Sequence, residues 1–319
     1  MLKNFINNVS HKKFSIRCDD TGNVFYFSHK DFDGLNAEPF SFKTERRNLL
    51  KGYIYSYDGA NKERLIVFDH GFGGGHTAYM REIELLCRQG YRVLAYDHTG
   101  CMESEGSGTV GLCQSLADLD FCIRAIKADE ELSKSDISVV GHSWGGYSCM
   151  NISAFHPEIS RIVVISGFVS VGQMAAQYLP WPLKQFRRDY VDMEYAENPR
   201  YARSNGVNAL MRTNAKVLLI YSKDDPTVKK RFHYDVLKKS LSDASNIKFM
   251  LVEGKGHNPN YTEDAVKYMQ GFFVSLTKKL KASQLETSEQ KREFVSSFDW
   301  VRMTEQDMNV WDEIFKTLE

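Results

Sequence analysis

The sequence predicts an α/β fold, in which helices cover both faces of a mostly parallel sheet. Short apolar runs rich in β-branched residues alternate with longer segments of helical spacing along most of the 319 residues. Most of these runs are continuously apolar, which is typical of strands that are buried on both faces. A Gly-x-Ser-x-Gly sequence at 141–145 joins one run to a helical segment through a sharp turn. We therefore predict an eight-stranded sheet.

The eight strands are predicted in order from the apolar runs. Two aromatic-rich alternating stretches, 24–27 and 50–55, are expected to lead into the fold as antiparallel strands. The other six strands are predicted at 64–68, 91–96, 137–140, 162–166, 215–221 and 247–252. Helices are predicted at about 78–89, 112–127, 227–239 and 262–281, and another directly after Ser143.

One segment interrupts the alternation of strands and helices. Residues 167–214 contain no predicted strand and are rich in Met, Tyr, Trp and Arg. Because a structureless loop of that length is rare in a compact domain, we predict a small helical cap inserted after the sixth strand. The core then comprises 1–166 and 215–319. Aromatic and apolar cap side chains could line an acyl pocket or simply bury the cap against the core; the candidate substrate-binding residues are Met174, Tyr178 and Trp181.

The C-terminal region continues beyond the last predicted strand and helix. Residues 283–292 are polar, and we expect an exposed linker there. An amphipathic helix is predicted from Asp307 onwards, docking either on the core or on another subunit. The sequence therefore leaves a monomer and a homodimer open.

Composition excludes several classes of partner. The chain carries 41 Lys and Arg residues against 41 Asp and Glu residues, so no charge excess favours nucleic acid or an anionic membrane. No apolar run reaches the roughly 18 residues of a membrane span, and the N-terminus lacks the pattern of a secretory signal. We expect a cytoplasmic protein that binds a small molecule and needs no cofactor. No ligand-spaced histidine cluster predicts a metal site.

The six cysteines show no Cys-x-x-Cys pair, so neither a zinc site nor a redox motif of that type is predicted. Most are expected to be reduced thiols packed as small apolar groups. Cys101 is expected in a loop beside the active site, where a structural role is favoured over a reactive one.

Ser143 is the candidate nucleophile because its surroundings match a nucleophile elbow. A β-branched strand precedes it, and Gly141 and Gly145 leave room for the tight turn between strand and helix. This geometry exposes the hydroxyl beside a helix N-terminus. The competing interpretation is an ordinary strand–turn–helix corner with an exposed serine.

A serine hydroxyl needs a base, and the base needs an orienting carboxylate. His257 follows the last predicted strand in a loop made adaptable by Gly254 and Gly256, which favours it as the base. The preceding strand ends before Asp224 and Asp225. We predict Asp225 as the acid because Pro226 fixes its turn, with Asp224 as the alternative.

An oxyanion requires preorganised donors. The backbone N–H of Trp144, directly after the nucleophile, is one candidate, and that of Phe72 in the glycine-rich loop 70–75 is the other. A phosphate-binding loop is the competing interpretation of these glycines. It is disfavoured because neither Gly-Lys-Ser/Thr nor a dinucleotide-type Gly-x-Gly-x-x-Gly is present.

Together these motifs resemble the α/β-hydrolase superfamily. The resemblance rests on His-Gly-Phe-Gly-Gly-Gly at 70–75, Asp-His-Thr-Gly at 97–100, Gly-His-Ser-Trp-Gly-Gly at 141–146, Asp-Pro at 225–226 and Gly-His at 256–257. It covers about 38–280, and within the superfamily the chain is similar to the serine aminopeptidase-like lipase and esterase group. It implies Ser143, Asp225 and His257 as the triad, with Phe72 and Trp144 as oxyanion donors. Trp144 stands where that group often has Met or Gln, so we expect its side chain to reshape the pocket.

The function expected from these residues is a serine carboxylesterase acting on a small or medium acyl ester through an acyl-enzyme. An acyl thioesterase or a peptidase of the aminopeptidase-like group is the alternative, because the same groups attack thioesters and amides. Dehalogenases and epoxide hydrolases of this fold need an aspartate nucleophile, which Ser143 disfavours. A non-catalytic binder of a small apolar ligand is a more remote alternative.

Overall fold

An eight-stranded sheet forms the centre of the protein, which the computed structural model describes over residues 14–178 and 187–319. The strands are β1 (Asn36–Lys43), β2 (Leu49–Ser56), β3 (Asn61–Asp69), β4 (Tyr91–Tyr96), β5 (Asp136–His142), β6 (Arg161–Ile165), β7 (Lys216–Ser222) and β8 (Ile247–Val252). Their order across the sheet is β1-β2-β4-β3-β5-β6-β7-β8. Strand β2 is antiparallel to β1 and β4, and the other neighbouring pairs are parallel. The predicted sheet is therefore confirmed.

Helices connect the strands and cover the sheet. The α-helices are α1 (Met80–Arg88), α2 (Gln114–Ala128), α3 (Trp144–Ile152), α4 (Val171–Tyr178), α5 (Arg187–Glu197), α6 (Gly206–Leu210), α7 (Tyr234–Leu241), α8 (Glu263–Lys281), α9 (Ser288–Ser296), α10 (Trp300–Met303) and α11 (Met308–Leu318). Short 3₁₀ helices lie at His29–Asp31, His76–Tyr79, Leu132–Lys134 and Lys230–Phe232.

Alternate residues of the central strands face two separate cores. In β7, Val217 and Leu219 pack into the core that contains α2 and α3. Leu218 and Ile220 point the other way, into the core that contains α1 and Trp311 of α11. Because both faces are covered by apolar side chains, the strand is apolar on consecutive residues, as the sequence predicts.

The first strand lies at Asn36–Lys43, so its prediction at 24–27 is wrong. Residues 24–27 are irregular, and Phe25 packs on Trp300 near the C-terminus with ring centroids 5.9 Å apart. Their aromatic content therefore serves packing rather than strand pairing. Pro39 weakens the strand signal of the true segment, but β1 is an edge strand, where a missing N–H is tolerated.

The helix predicted at 227–239 begins later, at Tyr234. The carboxylate of Asp225 accepts hydrogen bonds from the backbone N–H groups of Thr227 and Val228, at 2.7 and 2.9 Å. This local turn occupies the residues that the sequence assigns to the first helical turn. The position of the helix start is therefore wrong by about two turns.

The polar segment 283–292 is only partly the exposed linker that the sequence predicts. Leu285 is buried in a small core formed by the C-terminal helices. The Thr287 side chain accepts a hydrogen bond from the backbone of Gln290, whose side chain accepts one from the Thr287 backbone. This capping box begins α9, so the linker prediction is wrong from Thr287 onwards.

Three helices, α4, α5 and α6, lie in the segment predicted as a cap, and its described residues contain no strand. Glu194 of α5 ties this segment to the start of α2. Its carboxylate accepts from the backbone N–H groups of Leu112 and Cys113, at 2.7 and 3.1 Å. An anion at a helix start is favourable, so this contact fastens the segment to the core. Its division from the core as a separate cap stays a prediction.

The terminal helix α11 docks on the core of its own chain. Asp307 precedes it as the predicted start, and its side chain accepts from the backbone N–H of Asn309 at 2.9 Å. Trp311 and Ile314 are fully buried in the core shared with β6 and β7. The oligomeric state stays a prediction.

Candidate active site

The backbone at Ser143 adopts the strained turn of an elbow. Strand β5 ends at His142, Ser143 has φ 54° and ψ −108°, and α3 begins at the next residue. A β-carbon on Gly145 would collide with the backbone oxygen of Asp69 in β3, so this turn requires glycine there. Such strain persists only where the surroundings hold it, and here the Ser143 amide donates to a carbonyl at the end of β6 at 2.8 Å.

Ser143, His257 and Asp225 form one continuous line of hydrogen bonds. His257 Nε2 lies 2.8 Å from Ser143 Oγ, and His257 Nδ1 lies 2.8 Å from Asp225 Oδ2. Because an ionised carboxylate can only accept, Nδ1 carries the hydrogen and Nε2 is left to accept the hydroxyl proton of serine. The three side chains come from loops after β5, β7 and β8, which end at the same edge of the sheet.

The two neighbouring aspartates have different partners. Asp225 is 4% exposed, and its second oxygen is the acceptor for the local turn described above. Asp224 accepts from the backbone N–H groups of Gly254 and Gly256, at 3.0 and 3.1 Å. Burial alone would raise the pKa of Asp224, but these amides and a serine hydroxyl hold it below its usual value. Asp225 therefore contacts the candidate base, and Asp224 braces the loop that carries it.

The glycine-rich loop brings Phe72 against Trp144. Their ring centroids are 5.3 Å apart, and their planes meet at 73°. The Trp144 side chain is almost fully buried, and its Nε1 donates to the backbone oxygen of Leu112 at 2.6 Å. The indole is therefore held beneath the loop by packing and by a hydrogen bond. The indole therefore points into the protein rather than into solvent, and its effect on a substrate pocket stays a prediction.

A further chain of hydrogen bonds links the glycine-rich loop to the loop of His257. His142 Nε2 lies 2.8 Å from the carbonyl oxygen of His257, so this nitrogen donates. Burial and the neighbouring His257 lower the pKa of His142 to about 3, so its neutral ring accepts the Tyr79 hydroxyl hydrogen at Nδ1, 2.8 Å away. The Tyr79 oxygen accepts from the Gly71 backbone N–H at 3.1 Å. Sequence motifs assign no role to Tyr79 or His142.

A buried ion triad is centred on His98, whose ring lies 4.4 Å from that of His70 at the start of the glycine-rich loop. Nε2 of His98 is 3.1 Å from Asp69 Oδ1, and its Nδ1 is 3.3 Å from Asp118 Oδ2. Burial opposes charge on the imidazole, but the two carboxylates outweigh it and raise the pKa of His98 to about 10. The His98 ring lies 4.7 Å from that of Trp144, so a cation held by two anions supports the elbow. In the sequence, His98 is visible only as part of the Asp-His-Thr-Gly motif.

The C-terminal segment supports the loop of His257. Lys255, largely buried, forms an ion pair with Asp307. The Asp307 backbone N–H donates to the Asn260 carbonyl oxygen at 2.8 Å, and the Asn260 side chain donates to Gln306 at 2.8 Å. These residues are far apart along the chain, and no local pattern predicts that they meet.

The candidate substrate-binding residues differ in position. Met174 is partly buried and packs against the main core. Tyr178 is 59% exposed, and its hydroxyl donates to the carbonyl oxygen of Thr227, two residues after Asp225. Trp181 lies outside the described residues. Tyr178 therefore lies beside the loop of the candidate acid, whereas Met174 packs against the main core.

Within 14–178 and 187–319, no group of three or more His, Cys, Asp or Glu side chains is arranged to hold a metal ion. In the same ranges no helix is both long enough and apolar enough to cross a membrane. A cytoplasmic location stays a prediction.

Comparison with known protein sequences agrees with this fold. Residues 64–194 match the family described as alpha/beta hydrolase fold. A 2-hydroxy-6-oxononadienedioate/2-hydroxy-6-oxononatrienedioate hydrolase from Pseudomonas sp is 25% identical over 134 residues, covering 41% of this chain and 46% of that protein. The protein of the same name from Escherichia coli O81 is 29% identical over 139 residues, covering 42% and 46%. The matched segment thus spans about half the length of these curated relatives.

Comparison with solved structures extends over more of the chain. An esterase from Pyrococcus furiosus matches with a TM-score of 0.58 and 21% identity, covering 86% of this chain and 95% of its own. An acetyl xylan esterase from Paenibacillus sp. R4 matches with a TM-score of 0.57 and 17% identity, covering 79% and 87%. At these identities the likeness concerns the fold, and the predicted α/β-hydrolase fold is confirmed.

Proposed function

We propose that this chain is a serine carboxylesterase of the α/β-hydrolase superfamily, whose fold it shares and whose family model matches residues 64–194. Its substrate would be a small or medium acyl ester, cleaved through an acyl-enzyme. The observation that carries the proposal is the unbroken line from Ser143 Oγ through His257 to Asp225, with 2.8 Å at each step. The narrower likeness to the serine aminopeptidase-like lipase and esterase group stays a prediction.

In the proposed reaction Ser143 is the nucleophile and His257 the general base. Nε2 of His257 takes the hydroxyl proton while Oγ bonds to the ester carbonyl carbon, and the N–H groups of Phe72 and Trp144 stabilise the oxyanion. His257 then returns the proton to the leaving alcohol as the acyl-enzyme forms. A water molecule, deprotonated by the same nitrogen, releases the acid. Asp225 keeps the imidazole in the required tautomer and orientation.

The side chains of the predicted cap favour recognition of the substrate through its acyl group. Met174 is apolar, and Tyr178 lies beside the loop of the proposed acid. We propose that helices α4 to α6 form this cap and that these side chains, with Trp181, contact the acyl chain. The alternative within the same chemistry is an acyl thioester or an aminoacyl amide.

A second candidate is a hydrolase of an oxo-dienedioate. It is favoured by the two curated relatives, which are named as hydrolases of 2-hydroxy-6-oxononadienedioate. A non-catalytic ligand binder is the most remote candidate, because the three groups needed for nucleophilic attack are in hydrogen-bond contact.

A fluorophosphonate probe tests the serine mechanism without knowledge of the substrate. We expect covalent labelling of the wild type and none of Ser143→Ala. Ser133→Ala, at an exposed serine of the 3₁₀ helix Leu132–Lys134, is the matched control and should label as the wild type does. A folded wild type that takes up no label would overturn the proposal.

A substrate panel then decides the bond type. It contains p-nitrophenyl esters of graded chain length, acyl-CoA thioesters, aminoacyl amides and an oxo-dienedioate. We expect the highest kcat/KM on a short or medium ester, and none with Ser143→Ala. Preference for a thioester, an amide or the dienedioate would replace the carboxylesterase assignment while keeping Ser143 as the nucleophile.

A further inference from the structure

Cys18 and Cys101 lie side by side in an isolated parallel β-bridge. The Cys18 backbone N–H donates to the Gly100 carbonyl oxygen at 2.9 Å, and the Met102 N–H donates to the Cys18 carbonyl oxygen at 3.1 Å. Neighbouring strands lie about 4.8 Å apart, and a disulfide spans Cα atoms about 4.4–6.8 Å apart. The backbone is therefore already at the separation that a disulfide needs.

The chain around Cys18 is held in place by its neighbours. The Arg17 guanidinium donates to the carbonyl oxygens of Met102, Ser104 and Gly106, at 2.8, 3.0 and 2.6 Å. These three carbonyls belong to the loop that carries Cys101. Bond formation between the two sulfurs would therefore need no large movement of either segment.

The two thiols have unequal roles. The neighbouring Cys101 thiol and the Gly73 backbone N–H lower the pKa of Cys18 to about 7 despite burial. The neighbouring Cys18 sulfur and burial raise the pKa of Cys101. Cys18 is partly exposed, whereas Cys101 is fully buried. Cys18 is thus the reachable thiolate, and Cys101 is a protected thiol in contact with it.

We propose that Cys18 and Cys101 are a peroxide-reactive pair that closes to an intramolecular disulfide. The Cys18 thiolate attacks the hydroxyl oxygen of the peroxide and breaks the O–O bond, which gives Cys18 sulfenic acid. The leaving oxygen takes a proton from solvent and departs as an alcohol or water. Cys101 sulfur then bonds to the sulfenic sulfur, and its proton leaves with the hydroxyl group as water. The two thiols are oxidised by two electrons, and the peroxide is reduced by two. This chemistry is independent of the proposed hydrolase activity.

The other cysteines are poorly suited to the same reaction. The remaining four are Cys87, Cys113, Cys122 and Cys149, and all are buried. Burial raises the pKa of each of these thiols, so little thiolate is present at neutral pH. Oxidation should therefore be selective for the pair.

Peptide mapping of the full-length native protein tests the proposal. The protein is treated with hydrogen peroxide, then unfolded in N-ethylmaleimide, digested and analysed by mass spectrometry. We expect a linked peptide pair containing Cys18 and Cys101, lighter by two hydrogen atoms than the sum of the two, with the other cysteines alkylated. Cys18 that stays alkylatable, or that is oxidised without linkage to Cys101, would overturn the proposal.

Two variants separate the roles of the sulfurs. In Cys101→Ala we expect Cys18 to stop at the sulfenic acid, which dimedone traps. We also expect the pH midpoint of Cys18 alkylation to rise, because the neighbouring thiol that lowers the pKa of Cys18 is lost. Cys87→Ala, the matched control, should form the Cys18–Cys101 link as the wild type does. An unchanged alkylation midpoint in folded Cys101→Ala would contradict the thiol contact, and the wild-type mapping decides the proposal even if that variant does not fold.

Discussion

Removing one hydroxyl group at Tyr79 should disconnect two loops of the proposed active site. That oxygen accepts from the Gly71 backbone N–H, next to the proposed oxyanion donor Phe72, and its hydrogen goes to His142 Nδ1. His142 in turn donates to the carbonyl oxygen of His257. Tyr79→Phe keeps the ring and its packing while ending the connection.

The expected size of the effect follows from the groups left unpaired. An unsatisfied buried donor or acceptor costs about 1–3 kcal/mol, and Tyr79→Phe creates two. The Gly71 N–H and His142 Nδ1 both belong to buried residues, and at the low end of that cost for each we expect a loss of about 2 kcal/mol in the free energy of unfolding. If that energy is instead lost from the alignment of the two loops, the rate at Ser143 falls by about 10- to 30-fold.

The assay is the rate of inactivation by a fluorophosphonate, measured beside urea unfolding. Tyr57→Phe is the matched control, because it loses one hydroxyl bond to Glu84 at 2.9 Å in a part-buried position away from both loops. We expect it to lose stability without slowing inactivation. If folded Tyr79→Phe were inactivated as fast as Tyr57→Phe, the reasoning about loop alignment would be refuted.

Three further predictions concern groups around the site. Asp225→Asn should lower the rate of fluorophosphonate inactivation by about 10⁴-fold, because the imidazole of His257 then adopts the wrong tautomer. Asp224→Asn should lower the same rate by less than about tenfold. Equal losses would contradict the assignment of Asp225 as the acid. His98→Gln should cost about 3–5 kcal/mol in urea unfolding by leaving two buried carboxylates uncompensated. The pKa of His98 is raised to about 10 in the folded protein, so the difference in free energy of unfolding between wild type and His98→Gln should be largest below about pH 6.5 and should shrink as the pH rises towards 10. A difference that does not change with pH would argue against a charged His98. Lys255→Met should slow fluorophosphonate inactivation, because losing the ion pair with Asp307 loosens the loop of His257. Lys223→Met breaks only an exposed ion pair with Glu253 and should leave the rate unchanged. Equal rates for the two variants would contradict the support of this loop by Lys255.

The candidate triad could be predicted because parallel strands bring sequence-distant loops to one edge. Ser143, Asp225 and His257 each follow a strand of the parallel sheet, and such strands end at a common edge. Local signals were enough for each residue: glycines around the serine, a proline after the acid and glycines before the histidine. The sequence could also favour Asp225 over Asp224, and it is Asp225 that lies 2.8 Å from His257.

Local patterns failed where tertiary packing decided the structure. The first strand could not be predicted because Pro39 weakens its pattern, and the proline is tolerated only because this strand lies at the edge of the sheet. The strand-like residues 24–27 pack on the C-terminal helices instead. The helix after Asp225 starts late because the acid's own carboxylate caps a turn. In the first case a contact formed only in the folded chain outweighs the propensity of the segment, and in the second a local side-chain turn competes with the helix.

The Gly-x-Ser-x-Gly sequence and the order of strands determined the fold class, the nucleophile candidate and the chemistry proposed for it. These features are local, since each depends on a few consecutive residues and on the rule that parallel strands end together. Only the tertiary structure decided which side chains meet around them: Tyr79 and His142 lie between the loops, and Lys255 and Asp307 pair beside the loop of the candidate base. It also decided that Cys18 lies beside Cys101. The reason is that each of these contacts joins residues that no sequence spacing relates, and it exists only once the chain has packed.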